Sequence, residues 1–106
     1  MNRPSAKRDI LSTEYRIFET EQFQADLEAN LDARKDKLIA KLRTFLYPQL
    51  RLQPHFGKNI RKLRDFDPET WRYRIGDYLF FYAIDDDQRI VSMIAADLRP
   101  KAYRRD

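Results

Sequence analysis

The chain changes hydrophobic period twice, and each change marks a new kind of element. Tyr15 and Ile17 alternate with polar neighbours from Glu14 to Glu19, the period of two that a half-buried strand shows. From Glu21 the interval lengthens: Phe23, Leu27 and Leu31 recur every four residues and predict an amphipathic helix begun by Thr20 or Glu21. Asn30 to Asp32 offers a break and a new N-cap. Leu38, Ile39, Leu42, Phe45 and Leu46 then form a second apolar stripe, a helix of about four turns that Pro48 should end by removing an N–H and crowding the preceding turn.

After a loop at Gln53 to Lys58, marked by Pro54 and Gly57, the period returns to two. Trp71, Tyr73 and Ile75 alternate with Arg72 and Arg74, so a strand here sends three apolar side chains to one face and two guanidinium groups to the other. Gly76-Asp77 separates this run from Tyr78 to Ile84, and a two-residue loop with glycine first predicts a type II′ hairpin. Asp85-Asp86-Asp87-Gln88 makes a further turn before Ile90 to Ala96. The three runs predict an antiparallel meander whose middle strand is buried on at least one face.

Strand, helical hairpin and meander in that order predict a two-layer α+β domain, with the helices on one sheet face and the N-terminal strand at its edge. The apolar side of Trp71, Tyr73 and Ile75 is the natural packing surface for the helices, so Arg72 and Arg74 should look out from the open face. With 106 residues the chain is read as one domain, 1–106, with residues 1–12 expected to be flexible.

Composition narrows the chemistry. Without cysteine there are no disulfides or thiolate metal sites, and His55 alone cannot assemble a zinc or iron centre, so neither metal nor cofactor is expected. No apolar run approaches the ~20 residues of a membrane span, and Met1 to Thr13 lacks the apolar stretch of a signal peptide; the expectation is a soluble cytoplasmic protein. The net charge is +4 with a pI near 9.5. Residues 1–50 hold nine Lys/Arg against eight Asp/Glu, and residues 51–106 twelve against nine, so most of the excess accompanies the meander. That distribution favours a nucleic acid or an acidic protein as partner. Tyr73, Tyr78, Phe80 and Tyr82 read as packing residues, His55 as a surface loop residue, and Asp97 as the ion-pair partner of Arg99.

Three segments, Trp71-Arg72-Tyr73-Arg74-Ile75-Gly76-Asp77-Tyr78, Tyr82-Ala83-Ile84-Asp85-Asp86, and Ile94-Ala95-Ala96-Asp97-Leu98-Arg99 followed by Tyr103-Arg104, resemble the RelE/ParE superfamily of bacterial type II toxins, particularly its RelE-like ribonuclease branch. The resemblance covers about residues 14 to 104. It implies a RelE-like fold closed by a short C-terminal helix or tail. It also implies a metal-free endoribonuclease that cleaves messenger RNA on the ribosome. Further implications are an antitoxin partner and possible toxin–antitoxin hetero-oligomers on operator DNA. In that frame Arg72 and Arg74 grip phosphate or help activate the 2′-hydroxyl, Arg99 stabilises the transition state, and Tyr103 protonates the leaving oxygen or stacks on a base, while Lys101 and Arg104, like Lys58, Arg61 and Lys62 before the sheet, are candidates for RNA backbone contact only.

Two positions depart from the family pattern. Many relatives carry an arginine where this chain has Leu79, and a histidine where it has Leu98. The resemblance therefore leaves two alternatives beside the nuclease: a ParE-like inhibitor of DNA gyrase, and a catalytically weakened toxin that retains antitoxin binding.

Overall fold

A computed structural model describes residues 14–30 and 35–99. The first strand, β1 (Arg16–Glu19), leads into α1 (Glu21–Asn30), which Thr20 caps: its Oγ1 accepts the Phe23 N–H at 3.1 Å and donates to the Met93 carbonyl at 2.8 Å. Helix α2 (Lys35–Lys41) runs into a π-helical turn (Leu42–Leu46) and on into α3 (Tyr47–Leu52). Four strands complete the chain: β2 (Ile60–Lys62), β3 (Trp71–Ile75), β4 (Tyr78–Asp85) and β5 (Ile90–Asp97). Leu31 and the inter-helix break, the N-terminal segment, and Lys101, Tyr103 and Arg104 lie outside the described residues.

The strands form one sheet in the order β1-β5-β4-β3-β2. The predicted meander is present, β3 to β4 to β5, and β1 takes the predicted edge, but it pairs with β5 in parallel. The reason lies in the connection: the helical hairpin carries the chain across the sheet before it re-enters, as parallel neighbours require. Strand β2 is an addition to the sequence reading, too short at three residues to show a period. Ile75 pairs with Tyr78 across Gly76-Asp77, and of these two loop residues only Gly76 has positive φ, at 59°, as a type II′ turn needs.

The helices supply Phe23, Leu27, Leu38, Leu42, Leu46 and Leu50 to a core whose sheet side is Trp71, Tyr73, Phe80, Tyr82, Val91 and Met93. Phe23, Phe80 and Tyr82 are fully buried, and truncating an aromatic of this kind costs about 3–5 kcal/mol. The Tyr82 hydroxyl donates to the Pro54 carbonyl at 2.7 Å, tying the loop after α3 to the centre of the sheet. Among the described residues no helix is long and apolar enough to cross a membrane.

Two expectations for the second helix are corrected together. Pro48 does not end it, because the preceding turn widens: Tyr47 donates its N–H to Leu42, five residues back, and Pro48 falls in the first turn of α3, where a missing donor is tolerated. A wider turn also brings residues four apart closer to alignment. Leu38, Leu42 and Leu46 therefore stay buried, while Phe45, predicted to share their stripe, is turned out and 61% exposed.

Candidate nucleic-acid interface

The alternation that places Trp71 and Tyr73 in the core sends Arg72 and Arg74 to the other face, where register decides their neighbours. Arg61, Arg72, Phe81 and Ala95 lie side by side across β2, β3, β4 and β5, and Arg74, Leu79 and Asp97 form the next row. Two guanidinium-bearing residues, Arg61 and Arg72, are thus direct cross-strand partners, an arrangement that repels. Beyond the β2 end of these rows lies an open groove of about 590 Å³ lined by Lys58, Asn59, Ile60, Arg61, Arg72 and Arg74. Four of its six lining residues are cations and none is a carboxylate.

The arginines are set differently within it. Arg74 is exposed, its Nε donating to the Gly76 carbonyl at 2.7 Å, which braces the side chain against the hairpin turn. The Nε of Arg72 is buried and has no hydrogen-bond partner, a costly state for part of a cation. An anion in the groove would relieve that repulsion and charge burial, and phosphate oxygens suit guanidinium donors through paired, charge-assisted bonds.

The other predicted contacts separate from this group. Lys62 turns away: its Nζ pairs with Glu69 at 2.8 Å and lies 5.8 Å from the Trp71 ring centroid. The Lys62 ammonium in turn holds the Glu69 carboxyl below its ordinary range. Arg99 makes the predicted pair with Asp97, its Nε and Nη2 each 3.0 Å from a carboxylate oxygen, and that contact raises its already high pKa. Leu98 is a core residue, and Leu79 is buried though it lies on the arginine face. With Phe81, Ala83 and Ala95 around Leu79, the middle of that face is apolar. Among the described residues no cluster of three or more His, Cys, Asp or Glu could hold a metal ion.

A second polar cluster was not foreseen from the sequence. Tyr15, just before β1, donates its hydroxyl to Asp86 at 2.5 Å; His55 Nε2 meets the same carboxylate at 3.1 Å; Arg89 Nη1 donates to the Tyr15 hydroxyl at 3.1 Å. His55 also packs edge-on against the Trp71 ring, centroids 5.4 Å apart. Burial first, then the Asp86 contact, pushes the Tyr15 phenol up, and the Tyr15 hydroxyl in turn holds the Asp86 carboxyl low. Arg89 has φ 57°, uncommon for a residue with a side chain, and its contact over the Tyr15 ring at 5.2 Å accompanies that conformation. These partners come from positions 15, 55, 86 and 89, a separation that no local motif reveals. The cluster satisfies itself and ties β1, the loop after α3 and the β4–β5 turn together.

Residues 15–96 match the family model described as the ParE toxin of type II toxin-antitoxin systems, parDE. No curated protein matches the chain. Among solved structures, the chain is similar to the toxin–antitoxin complex RelBE2 from Mycobacterium tuberculosis (24% identity over 82% of this chain and 93% of that one, TM-score 0.64). It is also similar to the archaeal RelE–RelB complex from Pyrococcus horikoshii (17%, 86% and 99%, TM-score 0.60) and to the E. coli RelBE complex (22%, 85% and 99%, TM-score 0.56). At these identities the structural likeness is one of fold, and the five-stranded sheet with its helical hairpin is that fold.

Proposed function

The chain belongs to the ParE toxin family and is the toxin of a type II toxin–antitoxin system, and on that premise we propose that it inhibits translation by cutting messenger RNA on the ribosome. The observation behind this reading is the groove of Lys58, Arg61, Arg72 and Arg74, four cations facing one space with no carboxylate among them. Lys58 and Arg61 position the RNA backbone. Arg72 and Arg74 meet the phosphate at which the 2′-hydroxyl attacks. There the hydroxyl gives its proton to solvent water, the O2′–P bond forms, the P–O5′ bond breaks, and the 5′ oxygen takes up a proton. Negative charge grows on the phosphoryl oxygens as this happens, and fixed guanidinium groups stabilise it most where it is greatest. Tyr103 supplies the proton to the leaving oxygen, and Arg99, released from Asp97 when RNA binds, adds a further cation. Lys101 and Arg104 extend the backbone contact.

The partner is a cognate antitoxin, as in the RelBE and RelE–RelB complexes that share the fold, and it places carboxylates over the cationic groove. Such pairs could assemble further on operator DNA. The chain acts in the cytoplasm, where its target is.

One observation favours a second reading. Leu79 and Leu98 are buried where the nuclease pattern asks for an arginine and a histidine, and inhibition of DNA gyrase requires neither. Two assays run in parallel separate the readings: primer extension on messenger RNA from a translating reaction, and gyrase supercoiling. The proposal expects new 3′ ends in the first and unimpaired supercoiling in the second. Intact message with blocked supercoiling replaces it by the gyrase reading. If both assays stay silent, Leu79→Arg should raise cleavage in a weakened nuclease, and its failure to do so rejects cleavage altogether.

A further inference from the structure

The π-helical turn that absorbs Pro48 leaves Phe45 61% exposed, and the ring borders a crevice of about 340 Å³. Lys41 and Phe45 line it from the helical layer; Asn59, Tyr73, Arg74 and Ile75 line it from the sheet side. Asn59 and Arg74 also line the cationic groove, so the two spaces adjoin through these residues. Every charged residue bordering either space is a cation: Lys41 in one, Lys58, Arg61 and Arg72 in the other, and Arg74 in both.

We propose that the Phe45 crevice is a nucleobase subsite for single-stranded RNA, continuous with the phosphate groove. It rests on the RNA reading given above and adds a place for a base. Phe45 offers an exposed aromatic face, and a base stacked on it gains affinity without needing a particular sequence. The Asn59 carboxamide, a donor beside an acceptor, matches the edge of a nucleobase and adds preference among bases. Arg74 at the junction takes the phosphate attached to that nucleotide, and Lys41 lies on the helical side of the same crevice. A π-helical turn supports this assignment: such turns recur at functional sites, and here an α-helical continuation would have kept Phe45 in the apolar stripe. Strand β3 thus lends alternate residues to the two tasks, Arg72 to the phosphate groove, Tyr73 to the crevice and Arg74 to both.

The test is fluorescence anisotropy with a labelled single-stranded RNA hexamer and the same hexamer carrying abasic sites. Wild type should bind the base-bearing strand roughly tenfold more tightly than the abasic one. Phe45→Ala should abolish that difference, bind the abasic strand as wild type does, and keep the salt dependence of wild type. Asn59→Ala should narrow the preference among bases and leave the abasic strand unaffected. Equal binding of the two strands by wild type overturns the subsite and leaves the RNA reading standing; no binding of either strand by wild type counts against the RNA reading itself. If Phe45→Ala binds both strands as wild type does but loses a peptide from an acidic antitoxin tail, the crevice is a protein-docking notch and the proposal is wrong. Because Phe45 is largely exposed, an unchanged thermal midpoint of the variant confirms that a lost preference reports lost stacking.

Discussion

The β2–β3 edge and the Tyr15–His55–Asp86–Arg89 cluster treat charge in opposite ways. At the edge, cations face one another without a carboxylate, Arg61 sits across from Arg72, and the Arg72 Nε is buried without a partner. In the cluster, a carboxylate accepts from a phenol and meets an imidazole, while a guanidinium donates to the same phenol. The first arrangement is unfavourable until something anionic arrives; the second is complete in itself. Charged residues alone do not mark a binding surface. Their state of pairing does, and on that criterion the edge is the site and the cluster is scaffold, although the cluster contains the only histidine of the chain.

The contrast is most directly broken by charge removal at the edge. Arg72→Ala with Arg74→Ala should weaken binding of single-stranded RNA at low salt by about 100-fold or more, at about 1.5–3 kcal/mol for each charge-assisted contact. It should also reduce the slope of log affinity against log salt by about 1.4 and leave the urea midpoint unchanged or higher. A marked loss of stability with an unaltered salt slope would place these arginines in the scaffold.

Asp86→Ala should do the reverse, lowering stability in urea by about 1 kcal/mol while RNA affinity stays as it was. Loss of RNA binding in a folded Asp86→Ala protein would erase the distinction between the two regions.

The same cluster should show in the pH dependence of stability. Contact with the Tyr15 hydroxyl holds the folded-state pKa of Asp86 below its ordinary value of 3.8, so its contribution is present above pH 3.8 and is lost as pH falls through the folded value. Asp86→Asn should flatten that acid limb. Tyr15, Tyr47 and Tyr82 behave oppositely: burial raises each phenol above its ordinary value of 10.0, so their contribution is full below pH 10 and declines as pH rises beyond it. Urea titrations from pH 3 to pH 11 check both limbs, and a flat profile in wild type would contradict the assignment.

The smallest effect belongs to the Arg99–Asp97 pair. It is solvent-exposed at the arginine, so Arg99→Ala should leave the thermal midpoint within error of wild type. A drop of several degrees would show that this pair also belongs to the scaffold.

Legibility in the sequence followed the range of the interactions. The β3–β4 hairpin was readable because its register depends on a two-residue turn and a strict alternation, both local. The placement of Arg72 and Arg74 away from the core followed from the same alternation. Lys62 looked equivalent to Lys58 and Arg61, yet in β2 it alternates away from Arg61 onto the face of its partner Trp71, where Glu69 pairs with it; three residues, Ile60-Arg61-Lys62, were too few to show that they form a strand. Phe45 was misassigned because a helical stripe presumes one constant period, and the π-helical turn changes it within five residues. Tyr15 and Asp86 escaped notice because they stand 71 positions apart.

By itself, the sequence determined the α+β class, the meander and its turn, the helical hairpin, and which side of β3 carries charge, since each depends on periodicity within a few residues. The motif around Trp71 to Tyr78 also carried the family resemblance. Only the tertiary structure decided which cations share a groove, that Leu79 and Leu98 are buried, that β1 joins β5 in parallel, and that Phe45 opens beside Arg74. Those outcomes depend on register between distant strands and on packing of the helical layer against the sheet, which set distances that spacing along the chain does not encode.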